Sequence, residues 1–551
     1  MRMPKTNLLK FIVKSINKSF SENSELSTLN HNSRRKFLKE SAKGALAVGV
    51  VSTLPTFITS CNTNQSNEKT SDAEVGKNIK IAIIGGGISG LSCGYHLQKS
   101  GIDFKIYESS KRLGGRILTH YNDSLRVGIF PEFGGEFIDS NHEDMLNFVK
   151  EFDLEIIDLE KEQLEKGLIK DVYYFNNKKY TEDEVIKEFS KISGKIRKDK
   201  DSLGENYDTE SATSLDNTPL DIYLKSLNCA EWLKELLSSA FVAEFGLDCS
   251  EQSSLNFIDL ISPETDNGFK VFGDSDERYK IKGGNSKIIE NLVSRIGEDK
   301  IIRNFALKSI KDTNDNKYQL SFENGEEIIA DYVVLTIPFT ILRNIVLNVK
   351  TLTKEKKQCI DELGYGVNTK LILAYEGQPW RDNPNKAMGY LFHKDISNGW
   401  DGSYNKTNEN PNGAYVCFFG GTYSENLNKL SFKYPNAPAS HVWKTQVPDA
   451  SVNYLTNELN KVFSGSKNKF LNKHVFVNWI DYPFTKGSYS CYKVGQWTSI
   501  SGLEIKSVGN ILFAGEHCSE NFQGYMNGGA ETGRIAAENL TKIIQELSTK
   551  L

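Results

Sequence analysis

The first concentrated apolar run in the body of the chain is Lys80–Ile84, short and rich in β-branched residues, which predicts a strand. Leu91 to Ser100 has helical character, Gly101 closes the helix, and Phe104-Lys105-Ile106-Tyr107-Glu108 predicts a second strand. From about Asn147 to Val271 the pattern changes to charged helical periods, among them Glu182–Lys195 and Cys229–Phe245. Strand character returns at Tyr279–Lys282. A helix follows over Lys287–Ile296, then a strand pair reaching about Phe322 and the run Ala330–Pro338. Between about Arg343 and Asn478, strands such as Thr369–Tyr375 and Ala414–Phe419 alternate with loops. A last buried strand, Asn510–Phe513, leads into a helix over Gly528–Glu546.

This order predicts an α/β fold in which a Rossmann-like domain is interleaved in sequence with an α+β domain of mixed sheet and helix. The nucleotide-binding pieces fall at 78–146, 272–342 and 479–551, and the second domain takes 147–271, mainly helical, and 343–478. A chain of 551 residues is long enough for two to four domains. No internal repeat interrupts this plan.

Composition narrows the class. With 38% hydrophobic and 25% charged residues the chain is of ordinary globular type. The first sixty residues hold ten Lys/Arg and three Asp/Glu, which leaves the remainder with a formal charge of −11. An acidic body without a basic stripe argues against nucleic-acid binding. Ser33-Arg34-Arg35-Lys36-Phe37-Leu38-Lys39 ahead of the mildly apolar run Gly44–Ser60 resembles a twin-arginine export signal. Phe57-Ile58-Thr59-Ser60-Cys61 is similar to a lipoprotein cleavage box, so residues 1–60 are expected to be a signal peptide and Cys61 a lipid anchor on the periplasmic side of a bacterial membrane. A short membrane anchor or a basic tail is the plainer alternative. Residues 61–77 have the composition of a flexible tether. The seven later cysteines form no CxxC pair, which supports neither a zinc site nor a disulfide framework, and no HExxH, paired-His or acid-cluster pattern points to a metal.

The turn after the first strand reads Gly85-Gly86-Gly87-Ile88-Ser89-Gly90. Gly85 permits a tight turn, Gly87 lets backbone amides approach a pyrophosphate, and Gly90 brings helix against strand. Glu108, 18 residues after Gly90, stands near the distance expected for an acid on the adenosine ribose. Arg112-Leu113-Gly114-Gly115-Arg116 extends the phosphate grip with two guanidinium groups. Almost a chain length away, Phe513-Ala514-Gly515-Glu516-His517 and Gly524-Tyr525-Met526-Asn527-Gly528-Gly529 form a second glycine-rich region. Together the two regions describe one bound FAD.

These segments, with Phe133-Gly134-Gly135-Glu136-Phe137-Ile138-Asp139, Gly283-Gly284, Thr336-Ile337-Pro338, Trp479 and Gly487-Ser488-Tyr489, resemble the flavin-containing amine oxidase family over about residues 78–547. The resemblance implies an oxidoreductase that converts a primary or secondary amine to an imine, then aldehyde and ammonia, while O2 becomes H2O2. It places Gly134, Gly135, Glu136 and Phe137 around FAD, Glu516 at the ribityl chain, Met526 at the pyrimidine edge and Leu307 near the adenine. Lys370, in Leu363–Lys370 ahead of Pro379-Trp380, is similar to the family lysine that holds a water at flavin N5. Tyr525 matches one wall of an aromatic cage; the other wall is Tyr489 or Tyr492, with Trp479 nearby. Cys491-Tyr492 echoes a covalent flavin attachment, but the ungapped linkage position falls on Tyr489, so FAD is expected to be non-covalent. Phe137 stands where venom-type L-amino-acid oxidases carry an arginine, which favours an amine. An L-amino-acid oxidase or tryptophan-2-monooxygenase-like enzyme is the alternative, and a lipid-anchored FAD- and amine-binding protein without turnover is the alternative of another class. A homodimer is compatible with the sequence.

Overall fold

The computed structural model describes residues 79–550 apart from 122–124, 126, 267, 407–409 and 434–443. The segments expected to form an export signal, a lipid anchor at Cys61 and a tether lie outside the described residues. Five parallel strands form the first sheet in the order Ile511–Phe513, Tyr332–Leu335, Ile81–Ile84, Lys105–Glu108 and Ile301–Arg303. Ile81–Ile84 is buried at every position, as a central strand covered on both faces requires. Its strands come from three separate stretches of chain, so the sheet closes only when distant segments meet.

The helix Ile88–Lys99 and the long helix Met526–Lys550 lie against one another on this sheet. Small residues make that approach close. A Cβ on Gly533 would come within 2.2 Å of the Ser89 carbonyl, and Ser92 Oγ donates to the Ala530 carbonyl at 2.8 Å. The first helix of the unit is thereby keyed to its last.

A second, nine-stranded mixed sheet is built around Thr369–Tyr375, which pairs antiparallel with Gly413–Phe419 and Phe470–Asn478. Two of its strands depart from the sequence expectation, Lys178–Tyr180 and the longer Ile169–Phe175 beside it. Ile169–Phe175 lies inside a stretch with helical periods, yet it joins this sheet beside Ala387–His393, and its last four residues are buried. Charged helices flank a strand there, and the apolar cluster Val172–Phe175 settles it into the sheet. Glu182–Asp201 does form a helix, begun by a capping box between Thr181 and Glu184. A four-stranded sheet contains the predicted pair Leu307–Asp312 and Tyr318–Phe322. All seven described cysteines are free. No helix among the described residues is long and apolar enough to cross a membrane.

Beneath the nine-stranded sheet, Arg381 is nearly buried and pairs with Glu162 at 2.6 Å and Asp401 at 2.8 Å. Its removal leaves buried Asp401 with no cation paired to it among the described residues, while Glu162 keeps Lys166 at 2.6 Å. Arg381→Met is expected to lower stability by about 3 kcal/mol, read as a fall in the thermal unfolding midpoint; an unchanged midpoint would show that the network adds nothing.

Candidate active site

One deep cavity runs between the parallel sheet and the nine-stranded sheet, with about 1820 Å³ of empty space counting its open mouth. That is room for an extended dinucleotide and a second small molecule beside it. At one end lies the first glycine turn. Gly85 has φ of +112°, and a Cβ there would sit 2.5 Å from Thr336 Oγ1; one on Gly90 would sit 1.9 Å from the Gly85 carbonyl oxygen. Gly87 has only Gly115 near its missing side chain, so its backbone faces open cavity.

The fit of a pyrophosphate here rests on unmet donors. Helix Ile88–Lys99 begins at Gly87 without a side-chain cap, leaving its first amides available. Ser89 Oγ is buried in the cavity wall and has no hydrogen-bond partner. Glu108, also in the wall, accepts from the amides of Gly86 and Ser110, both at 2.7 Å, which fixes its carboxylate at the end of the second strand. Gly114 donates to the Gly86 carbonyl at 2.8 Å, so the Arg112–Arg116 loop lies on the first turn. Arg112 turns toward its own loop, donating to the Leu113 and Gly115 carbonyls, with its guanidinium 5.8 Å from the Trp479 ring centre. Arg116 instead reaches across the fold to Glu516 at 2.9 Å.

Glu516 ties together the two glycine-rich regions. It also accepts from Ser490 Oγ at 2.7 Å and from the Gly524 amide at 2.9 Å. Burial pushes its carboxyl up, but the Arg116 charge and these donors outweigh that and hold it below its ordinary value. Met526 opens the last helix and lines the cavity; a Cβ on Gly135 would come within 2.7 Å of Met526 Cγ, and one on Gly134 within 1.7 Å of the Arg116 carbonyl oxygen. Two helix N-termini thus face the same cavity.

The far end is aromatic. Phe137, Trp400, Phe418, Phe245, Tyr489 and Tyr525 line it, and Trp479 lines it with Nε1 donating to the Phe133 carbonyl at 2.8 Å. Tyr489 OH donates to the Ala243 carbonyl at 3.0 Å, and Tyr525 OH donates to Glu244 Oε1 at 2.8 Å. Both tyrosines are therefore pinned to consecutive residues at the end of helix Glu231–Phe245, where Gly246 closes it in the left-handed conformation. Tyr492 does not line the cavity: its hydroxyl donates to Glu504 at 2.8 Å and its ring packs on Trp497. Leu307 is likewise absent from the wall and packs under the sheet with Ala82, Ile84 and Phe322. Cys491 is buried outside the cavity beside Asn256, and no cysteine is among the lining residues, which fits a non-covalent cofactor.

Lys370 lines the cavity with its Nζ 2.9 Å from Glu136 Oε2, 2.9 Å from the Gly134 carbonyl and 3.2 Å from the Glu132 carbonyl. An ammonium has three N–H bonds, and all three here point at protein acceptors. The residue read from sequence as a holder of water is, in this structure, first a holder of the 132–136 loop.

Three carboxyls that the site reading missed, Asp139, Glu244 and Glu277, also line the aromatic end. Among the described residues none of them is paired with a lysine or arginine. Burial, with mutual repulsion added for the latter two, pushes Asp139 up to about 6, Glu244 to about 7 and Glu277 to about 8. Asp139 is oriented by His142, whose Nδ1 accepts from the Asp139 amide at 3.0 Å while Nε2 lies 3.3 Å from Oδ2. Asp139 stood inside a quoted motif; Glu244 and Glu277 had no local signal.

A dinucleotide turn, a second helix N-terminus, and an aromatic chamber beyond them define a flavin-dependent oxidoreductase. The model of the flavin containing amine oxidoreductase family matches residues 88–541, and the chain belongs to that family. FAD is its cofactor, and amine oxidation its chemistry. Polyamine oxidase 5 of Oryza sativa subsp. japonica is 22% identical over 86% of this chain and 89% of its own length. Amine oxidase [flavin-containing] A of Sus scrofa is 23% identical, over 88% and 89%. Cyclohexylamine oxidase from Brevibacterium oxydans IH-35A shares the fold with a TM-score of 0.71 at 19% identity, over 85% of this chain and 99% of that one.

Glu516→Gln removes the charge that faces Arg116 and keeps the side chain's size. It is expected to raise the dissociation constant for FAD about ten-fold, seen as flavin lost on gel filtration. Full retention of flavin would refute the role.

Proposed function

We propose that this protein oxidises an amine carrying a second positive charge, a diamine or polyamine, with O2 as electron acceptor. The observation behind this reading is the group of three carboxyls at the aromatic end with no lysine or arginine paired to them among the described residues. A dication supplies the missing charge. The printed name of the Oryza sativa relative, a polyamine oxidase, agrees with it. The two arginines in the wall are engaged with Glu516 and with loop carbonyls, and position 137 is Phe, so among the described residues no arginine at the aromatic end is offered to an α-carboxylate.

When bound, FAD supplies the two-electron chemistry, accepting a hydride equivalent from the α-carbon of the amine. The chain does the rest. Tyr489 and Tyr525 wall the reacting amine, and their hydroxyls, tied to residues 243 and 244, keep the rings in place. Glu244, hydrogen-bonded by Tyr525, takes up the proton that an incoming ammonium must lose before its nitrogen lone pair is free. Phe137, Trp400 and Phe418 keep water from the reacting carbon. The imine product then takes water and divides into aldehyde and ammonia. The segments Ser33–Lys39 and Phe57–Cys61 support a further proposal, export of the FAD-loaded chain and its lipid anchoring outside the cytoplasm.

Mixing the enzyme with amines under anaerobic conditions and following loss of the flavin absorbance tests the substrate class. An α,ω-diaminoalkane is expected to bleach the flavin at lower concentration than the alkylamine of equal length, and Glu277→Gln should shrink that preference about ten-fold. Equal response to both amines, or bleaching by L-amino acids alone, would sink the reading. The pH dependence has a definite sign. Below about pH 6 the three carboxyls hold their protons, and as pH rises through about 8 they ionise, so KM for the diamine should fall across that interval. The same raised values mean that the amine-free protein loses stability as pH rises from the free-carboxyl range through that interval.

A further inference from the structure

Beneath Lys370 lies a second lysine that the reaction as described does not use. Lys280, on the strand Tyr279–Ile281, is 5% exposed and places its Nζ 2.7 Å from Glu136 Oε1, while Lys370 occupies Oε2 of the same carboxylate at 2.9 Å. One carboxylate therefore bridges two buried ammonium groups, and because burial pushes the neighbouring Glu132 carboxyl up to about 7, the trio keeps one net positive charge uncancelled below that pH. Burial raises the Glu136 carboxyl, but Lys280 first and Lys370 second outweigh it, so the bridge stays ionised.

The position of Lys280 is enforced from several sides. Its ammonium faces the rings of Phe137 at 4.5 Å and Tyr404 at 4.7 Å, and a third contact runs to the Asp401 carbonyl at 3.3 Å. One N–H remains, and it opens on a small polar chamber with room for about one water molecule. Asn405 Oδ1 is buried beside that chamber without a partner. The loop that Lys370 grips, Gly134 to Glu136, touches Met526 through Gly135, so the trio lies next to the Tyr525-Met526 end of the cavity.

We propose that Lys280 is a positioning residue for the oxidative half of the cycle: it shares Glu136 with Lys370 and thereby leaves an uncancelled positive charge under the reacting end of the cavity. In that half-reaction O2 takes up two electrons and two protons and leaves as H2O2. The electrons come from the reduced cofactor, and negative charge builds on oxygen before the protons arrive. A fixed cation in a poorly hydrated site stabilises that charge more than it affects hydride loss from the amine. Without Lys280, Glu136 and Lys370 would neutralise each other.

The test compares Lys280→Gln, which keeps a hydrogen bond to Glu136 and loses the charge, with Lys280→Arg, which keeps the charge. Both are loaded with FAD and followed by stopped flow in each half-reaction, and the midpoint potential of the bound flavin is measured separately. Lys280→Gln is expected to slow reoxidation by O2 about ten-fold and to change flavin reduction by amine less than about two-fold. The midpoint potential of the bound flavin should fall as well. Lys280→Arg should restore both the reoxidation rate and the potential. Unchanged reoxidation and potential in Lys280→Gln would overturn the proposal. If that variant does not retain FAD, Lys280→Arg decides: near-native reoxidation supports the charge, and slow reoxidation with intact reduction overturns it.

Discussion

A carboxyl group taken out of water needs a cation beside it, hydrogen-bond donors such as the amides that hold Glu108, or its own proton, and the cavity of this protein shows all three outcomes. Glu516 has Arg116, and Glu136 has Lys280 and Lys370. Asp139, Glu244 and Glu277 have no such partner among the described residues and are pushed toward their neutral forms. The division follows the geometry. The acids paired with cations tie together the 132–136 loop and the two glycine-rich regions, and the acids without one line the aromatic end. The same physical penalty that makes a buried carboxylate costly thus separates structural acids from those available to a ligand.

The aromatic end depends on a single helix terminus. Ala243 receives Tyr489 OH and also Asn368 Nδ2, the latter at 2.7 Å, while Glu244 receives Tyr525 OH. Gly246 then accepts from the Val367 amide at 2.9 Å, three residues before Lys370. Acceptors at the end of Glu231–Phe245, carbonyls and the Glu244 carboxylate together, are satisfied by residues from three other parts of the chain. A helix that belongs by sequence to one domain is thereby the fixture for side chains contributed by the other.

What was legible in the sequence was local. The turn at Gly85–Gly90, its flanking strands and Glu108 form one continuous unit whose steric demands appear in residue types, and the α/β plan with a mixed second sheet follows from such units. The choice between Tyr489 and Tyr492 was not legible, because the segment has no regular period and only tertiary contacts turn one ring to the cavity and the other to Trp497. Glu244 looked like any acid near a helix end, and Lys280 like a charged residue in a short strand. Each gains its meaning from a partner more than a hundred residues away: Tyr525 for the first, Glu136 for the second.

The contact between Ser92 and Ala530 spans 438 positions of sequence. A ribosome adds about 5–20 residues per second, so the helix Ile88–Lys99 waits roughly 20–90 s for the one that covers it. During that interval the phosphate turn has neither its second helix N-terminus nor Glu516, and Ser89 and Ser92 lie on an uncovered face. FAD capture is therefore a late event in the life of each nascent chain, and any chaperone or degradation signal acting on the unfinished protein acts on a form that has not yet seen its cofactor.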